Sequence, residues 1–264
     1  MSHRFYYMSD IHLEFAQLNL NVSGENLILA GDITTLRCLN PVMTDAGNRS
    51  TRKATMRFFG QALRNFDRVF YLTGNHESYN FDINLEKDYI ADYLPGVIHL
   101  DNSSYDIDDN TVIIGGTLWT DMNNNNPLAK VHVGNGMNDF RLIHNGDKIW
   151  TPDDAYNKHV STRNFLSGAL RDNHSKNVVV ATHHSPSYRG ANPHHGGNTL
   201  DAGYCSHMDD FIMSHPQIVA WVFGHTHRQT VFDIGSTKVY SNARGYKGYE
   251  ASADSFTADK WFEV

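Results

Sequence analysis

Residues 218–227 read Ile218-Val219-Ala220-Trp221-Val222-Phe223-Gly224-His225-Thr226-His227. The unbroken apolar run, rich in β-branched and aromatic residues, predicts a strand buried on both faces, as in a parallel sheet. Glycine and two histidines end it. In extended backbone the two imidazoles, separated by one residue, project to the same side. The same grammar recurs upstream. Phe5–Met8 runs into Ser9-Asp10-Ile11-His12, Leu27–Ala30 into Gly31-Asp32, Val69–Leu72 into Thr73-Gly74-Asn75-His76-Glu77, and Val178–Ala181 into Thr182-His183-His184. In open α/β sheets the carboxyl ends of the strands converge on one crevice, where ligands bind. A sheet of these strands therefore gathers Asp, Asn and His into one place.

Further strands are expected at Thr111–Trp119, Gln229–Ile234 and Lys238–Asn242, the last two forming a hairpin turned at Gly235-Ser236. Met56, Phe59, Leu63 and Phe66 recur at helical spacing and predict an amphipathic helix over about 52–66. Thr151-Pro152-Asp153-Asp154 reads as an N-cap, a proline at the first helical position and a capping-box acid. That helix should run to about Arg171 and bury Phe165, Leu166 and Leu170. A third helix is expected at about 206–214, and Asn123–Asn126 before Pro127 should be a loop. Alternating strands and helices give an α/β layered fold, and the hairpin makes it a mixed sheet or two sheets. With no repeat and no linker composition, residues 1–264 are expected to form one domain.

The 264 residues are 40% hydrophobic and 19% charged, which excludes a disordered or fibrous chain. The net charge of −7 argues against a stable nucleic-acid partner, because phosphate backbones demand a basic surface. No stretch is long and apolar enough to span a membrane. The first residues, Met1-Ser2-His3-Arg4-Phe5, lack the layout of a secretory signal, and two cysteines, Cys38 and Cys205, cannot build a disulfide framework. A reducing, cytoplasmic setting is expected. The unusual number is 16 histidines, the commonest metal ligand and the usual acid–base group near neutral pH.

Each polar strand end alone has an ordinary explanation as a turn, a cap or an exposed histidine. Together, in sequence and each at a strand end, they predict a metal centre. The donors are nitrogen and oxygen with no thiolate, which argues against a structural cysteine-type zinc site and suits Mn, Fe, Zn or Ni. Seven donors are too many for one ion with an open position; they divide over two divalent ions if one Asp is shared.

This order of motifs, D-x-H, G-D, G-N-H-E, a later His, then G-H-x-H, resembles the calcineurin-like metallophosphoesterase superfamily from Asp10 to His227. The resemblance implies a four-layer α-β-β-α sandwich of two mixed sheets flanked by helices. It implies a first metal on Asp10, His12 and His227, a second on Asn75, His183 and His225, and Asp32 as the bridge. His183 is chosen over its neighbour His184 because it lies nearer the strand end and successive strand side chains point opposite ways. His76 matches the family's non-ligand histidine, a catalytic group that contacts the scissile phosphate or the leaving group. The implied reaction is hydrolysis of a phosphodiester, of small-molecule or nucleotide type, by a metal-bridging hydroxide, with manganese the first choice of metal. Glu77 or a backbone carbonyl would orient the ligand imidazoles.

Finer stretches resemble a bacterial and phage subgroup of small phosphoesterases: Met8–Phe15, Gly116–Asp121, Met137-Asn138-Asp139-Phe140-Arg141, Thr182–Ser187 and Asn242-Ala243-Arg244-Gly245-Tyr246. There are departures as well. The arginine that grips phosphate in the Ser/Thr phosphatases of this superfamily is missing after Gly31-Asp32, and Thr35 stands where purple acid phosphatases carry a metal-bound tyrosine. The pattern is closest to the phosphodiesterase-type members. A nuclease, a phosphomonoesterase and an inert scaffold are the competing readings. Arg141 and Arg244 are candidate phosphate-binding residues, with an Arg141–Asp139 surface pair as the plainer alternative. Trp119 and Tyr246 could stack a base or belong to the core. The loop-like segment 186–207, with Gly190, Pro193, His194, His195, Gly196 and Gly197, is a candidate rim or lid.

Overall fold

The apolar runs become the inner strands of two facing sheets. The computed structural model describes residues 2–193 and 199–264. In the first sheet the strands lie in the order Trp261–Glu263, Arg4–Met8, Gly24–Ala30, Phe66–Leu72, Ile98–His99, all parallel except the antiparallel edge Trp261–Glu263. In the second the order is Gln229–Ile234, Thr237–Asn242, Ile218–Phe223, Asn177–Thr182, Thr111–Gly116, Ser103–Asp106, with parallel centre and antiparallel edges. A small third sheet joins Phe81–Asp82, Ile143–Asn145 and Lys148–Ile149.

Because strand side chains alternate, each central strand feeds two cores. Phe5, Tyr7, Ile28, Ala30, Phe70 and Leu72 meet Ile113, Val179, Ala181 and Val222 between the sheets. On the outer face of the first sheet, Leu27, Leu29, Val69 and Tyr71 pack with Phe58, Phe59 and Ala62 of helix Ala46–Asn65. On the outer face of the second, Val178, Val180, Trp221 and Phe223 pack with Leu166 and Leu170 of helix Pro152–Asp172. The layers therefore run α-β-β-α.

The capping box at Thr151 and Asp154 forms, and the hairpin turns at Gly235, whose φ of 59° suits glycine. Several boundaries differ from expectation. The helix expected at 52–66 starts at Ala46, where Asp45 accepts from the Asn48 N–H at 2.9 Å. Its inner face is Thr51, Ala54, Thr55, Phe58, Phe59 and Ala62, whereas Met56 and Leu63 are 48% and 37% exposed. Of the four residues the spacing named, only Phe59 lies on that face, and Phe66 opens the next strand. The strand expected at Thr111–Trp119 stops at Gly116, because Leu118 and Trp119 are left-handed. The third helix shrinks to Asp209–Met213. The asparagine tract is a left-handed turn over Met122–Asn125, and Asn126 then caps an unanticipated helix, Pro127–Gly136. Of segment 186–207, His194, His195, Gly196 and Gly197 lie outside the described residues.

Candidate metal centre

The strand ends Met8, Ala30, Leu72, Thr182 and Phe223 open on one side of the sandwich, and the chain turns sharply beyond several of them. Asp10, His12, Asp32, His225 and His227 all have positive φ, between 49° and 66°. Such backbone costs about 1–2 kcal/mol per residue without a glycine, and it gathers where function over-determines the geometry. The turns are laced together: Asp10 N–H donates to the Gly31 carbonyl and His12 N–H to the Asp32 carbonyl, each at 3.0 Å. Glycines permit the approach. A Cβ on Gly74 would strike Asp32 Oδ1 and the His183 ring, and Gly31, at φ 84°, faces His183 as well.

Donor atoms of Asp10, His12 and His227 lie within 4.8 Å of one another, and so do those of Asp32, His183 and His225. A third group, His12, Asp32 and His76, joins the two. His12 Nε2 faces His227 Nε2 at 3.0 Å, and His183 Nε2 faces His225 Nδ1 at 3.2 Å and Asn75 Oδ1 at 3.1 Å. Two donors each about 2.1 Å from one ion stand about 3.0–3.4 Å apart, so these spacings are those of ligands to a shared cation. His225 Nε2 is buried without a hydrogen-bond partner, which leaves this imidazole its Nδ1 as the atom turned to the cluster. The donor set and its spacing fit divalent metal ions.

The other ring nitrogens are anchored. His183 Nδ1–H donates to the Ala30 carbonyl at 2.9 Å, His12 Nδ1 meets Glu14 at 3.1 Å, and His227 Nδ1 meets Glu250 at 2.8 Å. Such partners fix the tautomer and aim the opposite nitrogen inward. Glu77 does something else. It accepts from the backbone N–H groups of Asp32, Ile33 and Gly74 at 2.7–2.9 Å and from the Tyr71 hydroxyl, and so clamps the loop that carries Asp32. Glu14 and Glu250 are the imidazole partners that motif reading missed. Glu14 sits two residues beyond His12, but nothing in the local pattern assigns Glu250 to His227.

His76 Nδ1 contacts the same Glu14 Oε1 at 3.1 Å, its Nε2 meets the Tyr246 hydroxyl at 3.0 Å, and its ring stacks on Tyr79 with centroids 4.0 Å apart. Both ring nitrogens thus have polar partners outside the donor cluster. Burial lowers His76, but Asp32 and Glu14 outweigh it and raise the imidazole to about 9. Burial, with His76 adding to it, pushes His12 down. Of the two rings that share Glu14, His76 holds the proton more firmly. Burial alone would raise Asp32; His183 and His76 hold it well below the ordinary carboxylate range instead.

A cavity of about 160 Å³ opens onto Asp32, Asn75, His76, Tyr204, His225 and Tyr246. Its lining among the described residues includes no Arg or Lys. His184 stacks on Trp119 at 4.9 Å, and its Nδ1 lies 3.3 Å from the Thr117 carbonyl; the donor groups take in His183 and not His184. Trp119 is 4% exposed and belongs to the core, whereas Tyr246 belongs to the cavity. The arginines differ from expectation. Arg244 is buried and donates to the carbonyls of Ile11, Ala16 and Gln17, bracing the loop behind His12. Arg141 is exposed and bonds to Asn138 and the Asn135 carbonyl, while Asp139 turns inward to Asn75 and Tyr79. Neither arginine lines the cavity. No helix among the described residues is long and apolar enough to cross a membrane.

A layered α-β-β-α sandwich with Asp and His donors at its strand ends defines the class of metal-dependent phosphoesterases. The sequence model of calcineurin-like phosphoesterases matches residues 3–229, and the chain belongs to that family, a family of dimetal-dependent phosphoric ester hydrolases acting on small phosphoesters. An uncharacterized protein of Acanthamoeba polyphaga mimivirus is 28% identical over 266 residues, covering 91% of this chain and 90% of its own. Among solved structures, a phosphopantetheinyl hydrolase from Mycobacterium tuberculosis superposes with a TM-score of 0.65 at 15% identity, over 100% of this chain and 96% of its own. A dimetal phosphatase from Danio rerio superposes with a TM-score of 0.50 at 13% identity, over 90% and 86%. At these identities the two structures speak for the fold.

Proposed function

We propose that the protein hydrolyses a small phosphodiester with two divalent metal ions, manganese the first choice. The observation that carries this reading is the convergence of Asp- and His-containing donor groups that share Asp32 and His12 beside a cavity holding His76. Asp10, His12 and His227 would hold one ion, Asn75, His183 and His225 would hold the other, and Asp32 would serve both. When bound, such ions supply Lewis-acid polarisation of a phosphoryl oxygen and lower the pKa of water toward neutrality. The remaining work belongs to side chains of this chain. Glu14 fixes the His76 ring through Nδ1, so Nε2 faces the cavity as the proton donor to the departing oxygen. The Tyr246 hydroxyl, now on that nitrogen, holds the place a leaving-group oxygen would take.

A diester is favoured over a monoester on charge. A phosphomonoester carries about −1.5 to −2 at neutral pH and a diester about −1, and a cavity whose lining among the described residues has no Arg or Lys suits the smaller charge. Arg141 and Arg244 are accordingly given structural rather than phosphate-binding roles. Residues 1–264 act as one catalytic domain. The two buried cysteines, free of any disulfide, support a cytoplasmic setting. Turnover of an aryl phosphodiester beside the matching monoester, with and without Mn²⁺, tests the reading. Metal-dependent preference for the diester is expected. Monoester-only turnover would replace the diester assignment, and inactivity with every divalent metal would end the enzymatic one.

A further inference from the structure

The Met137-Asn138-Asp139-Phe140-Arg141 stretch has no part in the reaction as described so far, yet it sends a carboxylate into the site. Asp139 is 1% exposed. Its Oδ1 accepts from Asn75 Nδ2 at 2.7 Å and from the Tyr79 hydroxyl at 2.8 Å, and Asn75 Nδ2 also reaches the Tyr79 oxygen at 3.2 Å. The three side chains close a ring of hydrogen bonds behind Asn75. On the other side, Asn75 Oδ1 faces His183 Nε2 at 3.1 Å.

An asparagine amide has two faces of nearly equal shape, an oxygen that can ligate a cation and an NH₂ that cannot. Nothing in its own rotamer selects between them. Here the selection comes from Asp139. Were the amide turned over, its oxygen would lie against a buried carboxylate oxygen, acceptor against acceptor, and its NH₂ would point at the metal ligands. A buried polar atom left unpaired loses its solvation with no return, and a charged one loses more, which is enough to hold the amide almost wholly in one orientation.

We propose that Asp139 is a positioning residue that sets the Asn75 oxygen toward the second metal position, with Tyr79 as its support. The proposal rests on the two-ion reading above. The sequence origin is telling. Asp139 lies 64 residues from Asn75, in a helical turn after helix Pro127–Gly136. That helix packs with Trp119, Met137, Ile143 and Trp150 in a satellite core outside the sandwich. The segment beside this satellite core therefore delivers the carboxylate to Asn75.

The test loads wild type, Asp139→Leu and the exchanged pair Asn75→Asp/Asp139→Asn with Mn²⁺. Bound metal per chain is counted by elemental analysis after desalting, each affinity is measured by titration, and electron paramagnetic resonance distinguishes coupled from isolated Mn²⁺. Wild type should hold two ions. Asp139→Leu should hold one, with affinity for the other reduced about 10- to 100-fold, the range for losing a hydrogen-bond partner of a ligand. The exchanged pair, which restores donor facing acceptor in the reverse sense and keeps polar side chains at both positions, should return to two coupled ions. Asp139→Leu with two ions of unchanged affinity overturns the proposal, and so does an exchanged pair that folds but holds only one. Wild type holding fewer than two ions would instead overturn the two-ion reading itself.

Discussion

The two ends of the sandwich both gather histidine and carboxylate, and they do opposite things. At the amino ends of the strands a single imidazole, His3, lies between Glu25 at 2.7 Å and Asp108 at 2.9 Å, and Arg68 reaches the same Glu25 oxygen at 3.1 Å. Here carboxylates outnumber imidazoles, and His3, when protonated, is itself a cation between them beside Arg68. Glu25 belongs to the first sheet and Asp108 to the turn before strand Thr111–Gly116 of the second, so the bridge ties the sheets together. At the carboxyl ends, imidazole nitrogens face one another across 3.0 and 3.2 Å. With the opposite nitrogens of His12 and His227 turned to Glu14 and Glu250, such a pairing suits a cation from outside. Among the described residues, every donor group able to hold an ion lies at this second end. The same residue types thus make a salt bridge or a metal centre according to their ratio and to which atoms face each other.

The largest effect that tests this contrast should follow Asp32→Ala. Removing the shared carboxylate should strip both ions, read by elemental analysis, and lower turnover by about 10³-fold or more, the scale of several kcal/mol of Lewis-acid stabilisation. Retention of either ion at wild-type affinity would break the idea of a shared ligand. Next in size, His76→Ala should cut turnover by about 10²-fold while both ions stay bound. Loss of an ion in that variant would make His76 a ligand, as its place in the third donor group allows. Glu250→Ala should weaken only the ion on His227, by about 10-fold or more, and leave the ion near Asn75 untouched.

The smallest effect belongs to the other end. The hydrogen bond to Asp108, opposed by burial and helped by Glu25, raises the His3 pKa above its ordinary value. Its stabilisation is complete below pH about 6.5 and fades as pH rises through the raised value. The hydrogen bond from His3 lowers Asp108 to about 2, and His3 and Arg68 lower Glu25 against burial. Their share is complete above pH about 4.5 and is lost as pH falls below it. Melting temperature against pH should therefore show a plateau between about 4.5 and 6.5, and His3→Ala should flatten both flanks. A wild-type profile identical to the variant's would deny the bridge any role.

The donors were legible because each is announced locally. An apolar run says strand, its polar end says crevice, and alternation along the strand favours His183 over His184, as the donor groups have it. Other parts were not. Arg244 looks like a phosphate clamp in its motif, but its partners are backbone carbonyls of residues 11–17, brought to it only when Ser9 pairs with Ala243. Glu77 looks like an imidazole partner and instead satisfies the amides of its neighbouring turns. Short edge strands such as Ser103–Asp106 and Trp261–Glu263 carry little apolar pattern, because an edge is half exposed.

By itself the sequence determined the central strands, their polar ends, the donor chemistry and the family, since apolar periodicity and motif spacing are properties of neighbours along the chain. Only the tertiary structure decided which carboxylate serves which donor side chain: Glu250 behind His227, Glu14 between His12 and His76, Asp139 behind Asn75. Two of these pairs join residues 23 and 64 positions apart, and even Glu14 reaches His76 across 62. Hydrogen bonds act over about 3 Å of space, whatever the separation in sequence, so the partners exist only once the sheets have packed and the turns have closed.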